Sequence, residues 1–103
     1  MNGGLEPAML FFDKEPVAVL SDLFQHQGTW FADYRLVPTL TDEILKFVEF
    51  SRVHLSSGEF DEKTLQSFEK IYEIDLWTVQ ACGGEQKIIG APLFRETDLS
   101  WVV

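Results

Sequence analysis

The amino-acid sequence predicts an α+β domain: a mostly antiparallel sheet of four to six strands with two helices packed on one face. Three observations predict it. Short β-rich apolar runs stand near both ends of the chain, two segments with helix punctuation occupy the middle, and no repeat or Gly/Ser linker divides them. At 103 residues the chain fits one domain, 1–103, whose elements must share a core because neither half carries enough layers alone. MNGGLEP, residues 1–7, combines small and helix-breaking residues and is expected to be loose.

AMLFF, residues 8–12, reads as a short strand, and DKEP as a turn into a second strand, VAVLSDLFQH. Gln27-Gly28 separates that run from TWFADYRLV. There Trp30, Ala32, Tyr34 and Leu36 share one parity and Phe31, Asp33, Arg35 and Val37 the other. Successive strand side chains point to opposite faces, so the first set enters a core and the second meets water or a partner.

After Pro38, Thr41 is placed to cap a helix, Asp42 and Glu43 suit its positive end, and Gly58 its stop. Ile44, Leu45, Val48 and Leu55 give the apolar stripe, with Phe47 at its border. The strand-prone residues of KFVEFSRVHL offer a competing reading, a shorter helix followed by a strand. Asp61 is the expected cap of a second helix, with a Phe60 to Leu65 staple and Leu65, Phe68 and Ile71 or Tyr72 on one side. IDLWTVQAC reads as a central strand, Gly83-Gly84 as a hairpin connection, and LSWVV as a final strand with Leu99, Trp101 and Val103 on one face.

Seventeen acidic residues against 8 Lys and Arg give a net charge of -9, and no basic run offsets it. That field repels a phosphate backbone, so nucleic acid is not expected as a partner, and it favours a basic protein. No apolar run of membrane-spanning length or signal-peptide pattern occurs, so no membrane partner and a cytoplasmic location are expected.

Catalytic patterns are thin. Cys82 is the single cysteine, which excludes an internal disulfide, and His26 and His54 are the two histidines. With no HExxH, cysteine cluster or acidic calcium loop, no metal is expected. The glycine pairs lack the strand-loop-helix setting of a phosphate or dinucleotide site, so no cofactor is expected. A small hydrolase-like enzyme using Cys82, or Asp22 with Asp33, beside a histidine is one alternative. A subunit that self-associates, as a homodimer, through Trp30, Tyr34 or Trp101 is another.

The leading expectation is a non-enzymatic, acidic protein-protein interaction domain, of the kind that inhibits or neutralises a basic protein. Bulky rings bury area at low entropic cost, while charges steer the approach. Phe31, Asp33 and Arg35 form the sheet-side candidate. Glu62, Glu69 and Glu73 form the helix-side one, in a segment from Glu59 to Asp75 with six acidic residues and two Lys.

Overall fold

A computed structural model describes residues 8–55, 58, 62–72, 76–81 and 84–103. The strands are β1 (Ala8–Phe12), β2 (Glu15–His26), β3 (Thr29–Leu36), β4 (Trp77–Ala81), β5 (Gly84–Lys87), β6 (Leu93–Phe94) and β7 (Asp98–Val102). The helices are α1 (Asp42–Phe50), continued by a π turn over Ser51–Leu55, and α2 (Glu62–Gln66), followed by a 3-10 turn over Glu69–Tyr72. The strands form one sheet in the order β5-β4-β1-β2-β3-β7-β6, and every neighbouring pair is antiparallel. The α+β class and the helix-on-sheet layering stand as read. The strands number seven because GEQK and the two-residue LF also pair.

Two tight turns organise the N-terminal meander. Gln27 and Gly28 take φ of 52° and 84°, and Asp13 and Lys14 take 48° and 69°. Positive φ at both central residues is the twist that lets a two-residue loop join antiparallel strands without splaying them. Between the turns, β2 carries a bulge: Ser21 faces Asp33 and Phe24 faces Phe31, so β2 spends one more residue than β3 over the same stretch. Asp22, with φ of 54°, lies within it.

The sheet curls until its two borders meet. The Ile88 N–H donates to Trp77 O at 3.0 Å, extending the β4·β5 ladder, and the next N–H, of Ile89, donates to Val102 O at 2.8 Å. Strands β4 and β7 therefore flank the same two residues, although three strands separate them in the sheet order. Trp101 Nε1 also donates across the gap to Gln86 Oε1, at 3.5 Å. Both side chains belong to the covered parity, so the covered face is the concave one.

The helical layer packs into that concavity because its apolar residues recur at helical spacing. The Thr41 side chain accepts from the Ile44 N–H as the cap, and Ile44, Phe47, Val48 and Phe50 are buried. They join Leu10, Leu20, Ala32, Trp77, Val79, Phe94, Leu99 and Trp101 in the core, Phe50 excepted. Aromatic edges meet at its centre: Phe47 lies 6.0 Å from Trp77 and 6.2 Å from Phe94, ring centre to ring centre. Trp77 is fully buried, and its Nε1 donates to Ile71 O at 2.6 Å, which fixes the 3-10 turn to the sheet.

The competing strand within KFVEFSRVHL does not form. Phe47, Val48, Phe50 and Ser51 are all buried, which helical spacing allows and strand alternation does not, and that packing outweighs the strand propensity of the segment. The α-helix itself stops at Phe50, earlier than its sequence pattern, while Gly58 has the positive φ expected of it, 80°, and donates to Leu55 O at 3.2 Å. The second helix is shorter than its sequence pattern. Ser67 Oγ donates to Thr64 O at 2.6 Å, a local side-chain bond that competes with helix continuation, and the chain resumes as a 3-10 turn. The expected cap Asp61 and the Phe60 to Leu65 staple fall outside the described residues and side chains. So do residues 82 and 83 of the hairpin connection, while Gly84 opens β5 opposite Ala81. No helix among the described residues is long and apolar enough to cross a membrane.

Candidate functional site on the outer face of the sheet

Curling places every second strand residue on a convex face that the helices do not cover. The pairing defines its rows. Phe24 on β2 faces Phe31 on β3, which faces Ser100 on β7, which faces Leu93 on β6. The next row runs from Ser21 through Asp33 to Asp98, and the one after it joins Arg35, Val19, Met9, Gln80 and Glu85.

The first row carries the largest rings. Phe24 stacks on Phe31 with centres 5.1 Å apart and planes 13° from parallel. From the β7 side the Arg95 guanidinium carbon lies over Phe31, 5.7 Å from the ring centre. Arg95 is held there by a two-point pair with Asp98: Nε to Oδ1 at 3.0 Å and Nη2 to Oδ2 at 2.8 Å. The hydrogen bond from Arg95 holds the Asp98 carboxyl below the usual carboxylate range, against a smaller opposing push from burial. Ser100, the β7 residue opposite Phe31, is buried.

Phe24 is 57% exposed, a large value for a phenylalanine. Asp33 and Arg35 are exposed on the same face, two and four residues beyond Phe31, and neither has an ion pair among the described residues. The sheet-side candidates Phe31, Asp33 and Arg35 thus stand together, with Phe24 and Arg95 added. Toward β4 and β5 the face continues into a shallow groove of about 360 Å³, lined by Phe11, Lys14, Thr78, Gln80, Glu85 and Lys87 among others.

The sequence pattern missed Phe24 for a definite reason. Along an unbroken strand it would share parity with Ala18 and Leu20 and enter the core. The extra residue at the bulge sends Leu23 toward the core and turns Phe24 outward. The signal was present as a change of spacing, from two between Ala18 and Leu20 to three between Leu20 and Leu23.

The helix-side candidates are more dispersed. Glu62 and Glu69 are exposed but sit on separate helical pieces, and Glu73 lies outside the described residues. The rings of Trp30, Tyr34 and Trp101, considered for self-association, are on the covered face. Trp101 is 2% exposed and stacks on Trp30 at 6.2 Å, while the Tyr34 hydroxyl donates to Arg95 O at 2.6 Å. Burial raises the Tyr34 phenol above its ordinary value, with Arg52 partly opposing.

The residues of the catalytic alternative are placed as follows. His26 ends β2 opposite Thr29 and is exposed, and His54 sits in the π turn with its ring 5.7 Å from that of Phe50. Asp22 and Asp33 are both exposed. Cys82 lies outside the described residues. A cavity of about 130 Å³ between the β1–β2 turn and the start of α1 is lined by Asp13, Glu15, Glu43, Leu40 and their neighbours, and no histidine lines it. Among the described residues no group of three or more His, Cys, Asp or Glu is placed to hold a metal ion. Compared with known proteins, the chain matches no family model, no curated protein and no solved structure.

Proposed function

We propose that the chain is an acidic, non-catalytic protein-binding domain that engages a basic protein through the outer face of its sheet. The observation that carries this reading is the Phe24–Phe31 stack, with Phe24 exposed, beside the exposed Asp33 and Arg35, on a face the protein's own helices leave uncovered. Stacked rings on a rigid sheet bury apolar area without ordering long side chains, the physics of an interface centre. The net charge of -9 attracts a basic partner over a distance set by salt, and flanking charges reject wrong orientations. A partner seated here has its own basic surface covered, which is how such a domain inhibits or neutralises it.

The test is capture from native-cell extract, identification of the partner, and calorimetry with the purified pair. A one-to-one complex weakened by salt is expected, with Phe31→Ala and Asp33→Lys reducing affinity by about tenfold or more. Glu43→Lys, an equal charge change on the helical side, is expected to act only through the weaker long-range field. Equal losses for Asp33→Lys and Glu43→Lys would remove the outer face from the mechanism.

A further inference from the structure

We infer that the open side of the Phe24 ring is a seat for an arginine guanidinium of the basic partner, an inference that rests on the protein-binding reading of the outer face. The protein already builds one such contact there. Arg95 lies over Phe31 from the β7 side at 5.7 Å, and Phe24 stacks on Phe31 from the β2 side at 5.1 Å. The sequence of layers is therefore guanidinium, ring, ring, and the final ring is 57% exposed.

Phe24 is the exposed end of this stack, with Arg95 at the other end. Two exposed carboxylates lie close to Phe24 in the register: Asp33, two residues beyond Phe31 on the paired strand, and Asp22, in the bulge two residues before Phe24. Neither has an ion pair among the described residues.

Charge complementarity selects the occupant. A cation over the ring gains from the aromatic quadrupole and from both carboxylates, whereas an aromatic or aliphatic side chain gains nothing from them. Arginine is favoured over lysine because its guanidinium is planar, stacks on a ring face and is more weakly hydrated than an ammonium. Arg95 over Phe31 is the internal precedent for that geometry.

The experiment uses two capped peptides, identical except for three arginines in one and three lysines in the other, spaced by Gly and Ser. Each is titrated into the intact protein at low salt while the ring signals of Phe24 and Phe31 are followed by NMR. The arginine peptide is expected to shift both rings and to bind roughly two- to fivefold more tightly than the lysine peptide. Phe24→Leu should abolish that preference, and Glu43→Gln should leave it in place. Equal affinities for the two peptides, or unmoved ring signals during binding, would overturn the seat.

Failure of the seat and failure of the underlying reading are distinguishable. A purified partner that binds Phe24→Leu as tightly as the wild type removes the seat and leaves the protein-binding reading standing. If neither peptide binds and no stoichiometric partner is captured, both fall.

Discussion

Ser51 is the residue at which a small change is expected to cost most for its size. It is fully buried, its Oγ accepts from the Phe94 N–H at 2.8 Å, and its hydroxyl donates to Phe94 O at 3.2 Å. Phe94 lies on the border strand β6, where these two groups point away from β7 and have no further strand to meet; one serine from the helical layer takes the place of a ladder partner. Ser51→Ala removes both bonds and leaves a buried amide unmatched, at about 1 to 3 kcal/mol. Alanine recovers a few tenths of a kcal/mol in helix propensity, so a net loss of about 2 kcal/mol is expected. For a domain of this size that lowers Tm by about 8 to 16 °C. Urea unfolding followed by circular dichroism measures it, with Ser67→Ala as the matched control. The Ser67 hydroxyl also donates to a carbonyl, Thr64 O at 2.6 Å, but it is exposed, and its loss should stay within about 0.5 kcal/mol. Equal effects for the two variants, or a Ser51→Ala protein as stable as the wild type, would refute the claim that burial sets the difference.

Tyr34 predicts a loss of stability at alkaline pH. Its folded phenol titrates above the ordinary value of about 10 because burial disfavours the anion, so its contribution is fully present below that value and is lost as pH rises through the folded one. Tyr34→Phe should flatten the alkaline limb in denaturant titrations, and an unchanged limb would contradict this. Asp98 has the opposite sign: its carboxyl is depressed by Arg95, so its contribution is present above about pH 4 and is lost as pH falls through the lowered folded value. Asp98→Asn should reduce acid sensitivity there and lower stability at neutral pH, as read by unfolding midpoints across pH. Ile89→Pro removes the N–H that joins the border at β5 to Val102 O, while sacrificing little packing because the side chain is 69% exposed. About 1 kcal/mol of destabilisation is expected, with faster hydrogen exchange in β7 and around Ile88. Unchanged exchange there would mean that closure does not depend on this bond.

The elements that were legible in the sequence are those whose signals are local. Thr41 announces a helix start because a capping oxygen needs only the next few residues, and Gln27-Gly28 announces a hairpin because glycine accepts positive φ. The alternation in TWFADYRL separated Ala32 from Asp33 and Arg35, since β3 runs without interruption. The curl of the sheet was not legible. It depends on two successive amides, of Ile88 and Ile89, bonding to strands that lie far apart in the sheet order, and neither residue type encodes that choice. Phe24 failed to be read for an intermediate reason: its own strand was recognised, but the bulge at Asp22 reversed which face it occupies. Of the candidate surface, the outward parity of Phe31, Asp33 and Arg35 was legible and the exposure of Phe24 was not.

The arrangement separates what holds the domain together from what is available to a partner, although the two share the same strands. On β3 the inward residues Trp30, Ala32, Tyr34 and Leu36 pack into the concave core, while Phe31, Asp33 and Arg35 alternate with them outward. A substitution at Asp33 or Arg35 therefore changes the surface without touching a core contact, and a loss of binding in such a variant reports on recognition. Phe31 is the exception, because Phe24 and Arg95 both lean on it and Arg95 is also tied to Asp98 and, through its carbonyl, to Tyr34. Its replacement should loosen the β6–β7 corner as well as the outer face. Asp33 is thus the cleaner probe of the proposed interface, and Phe31→Ala is interpretable only beside a stability measurement on the same variant.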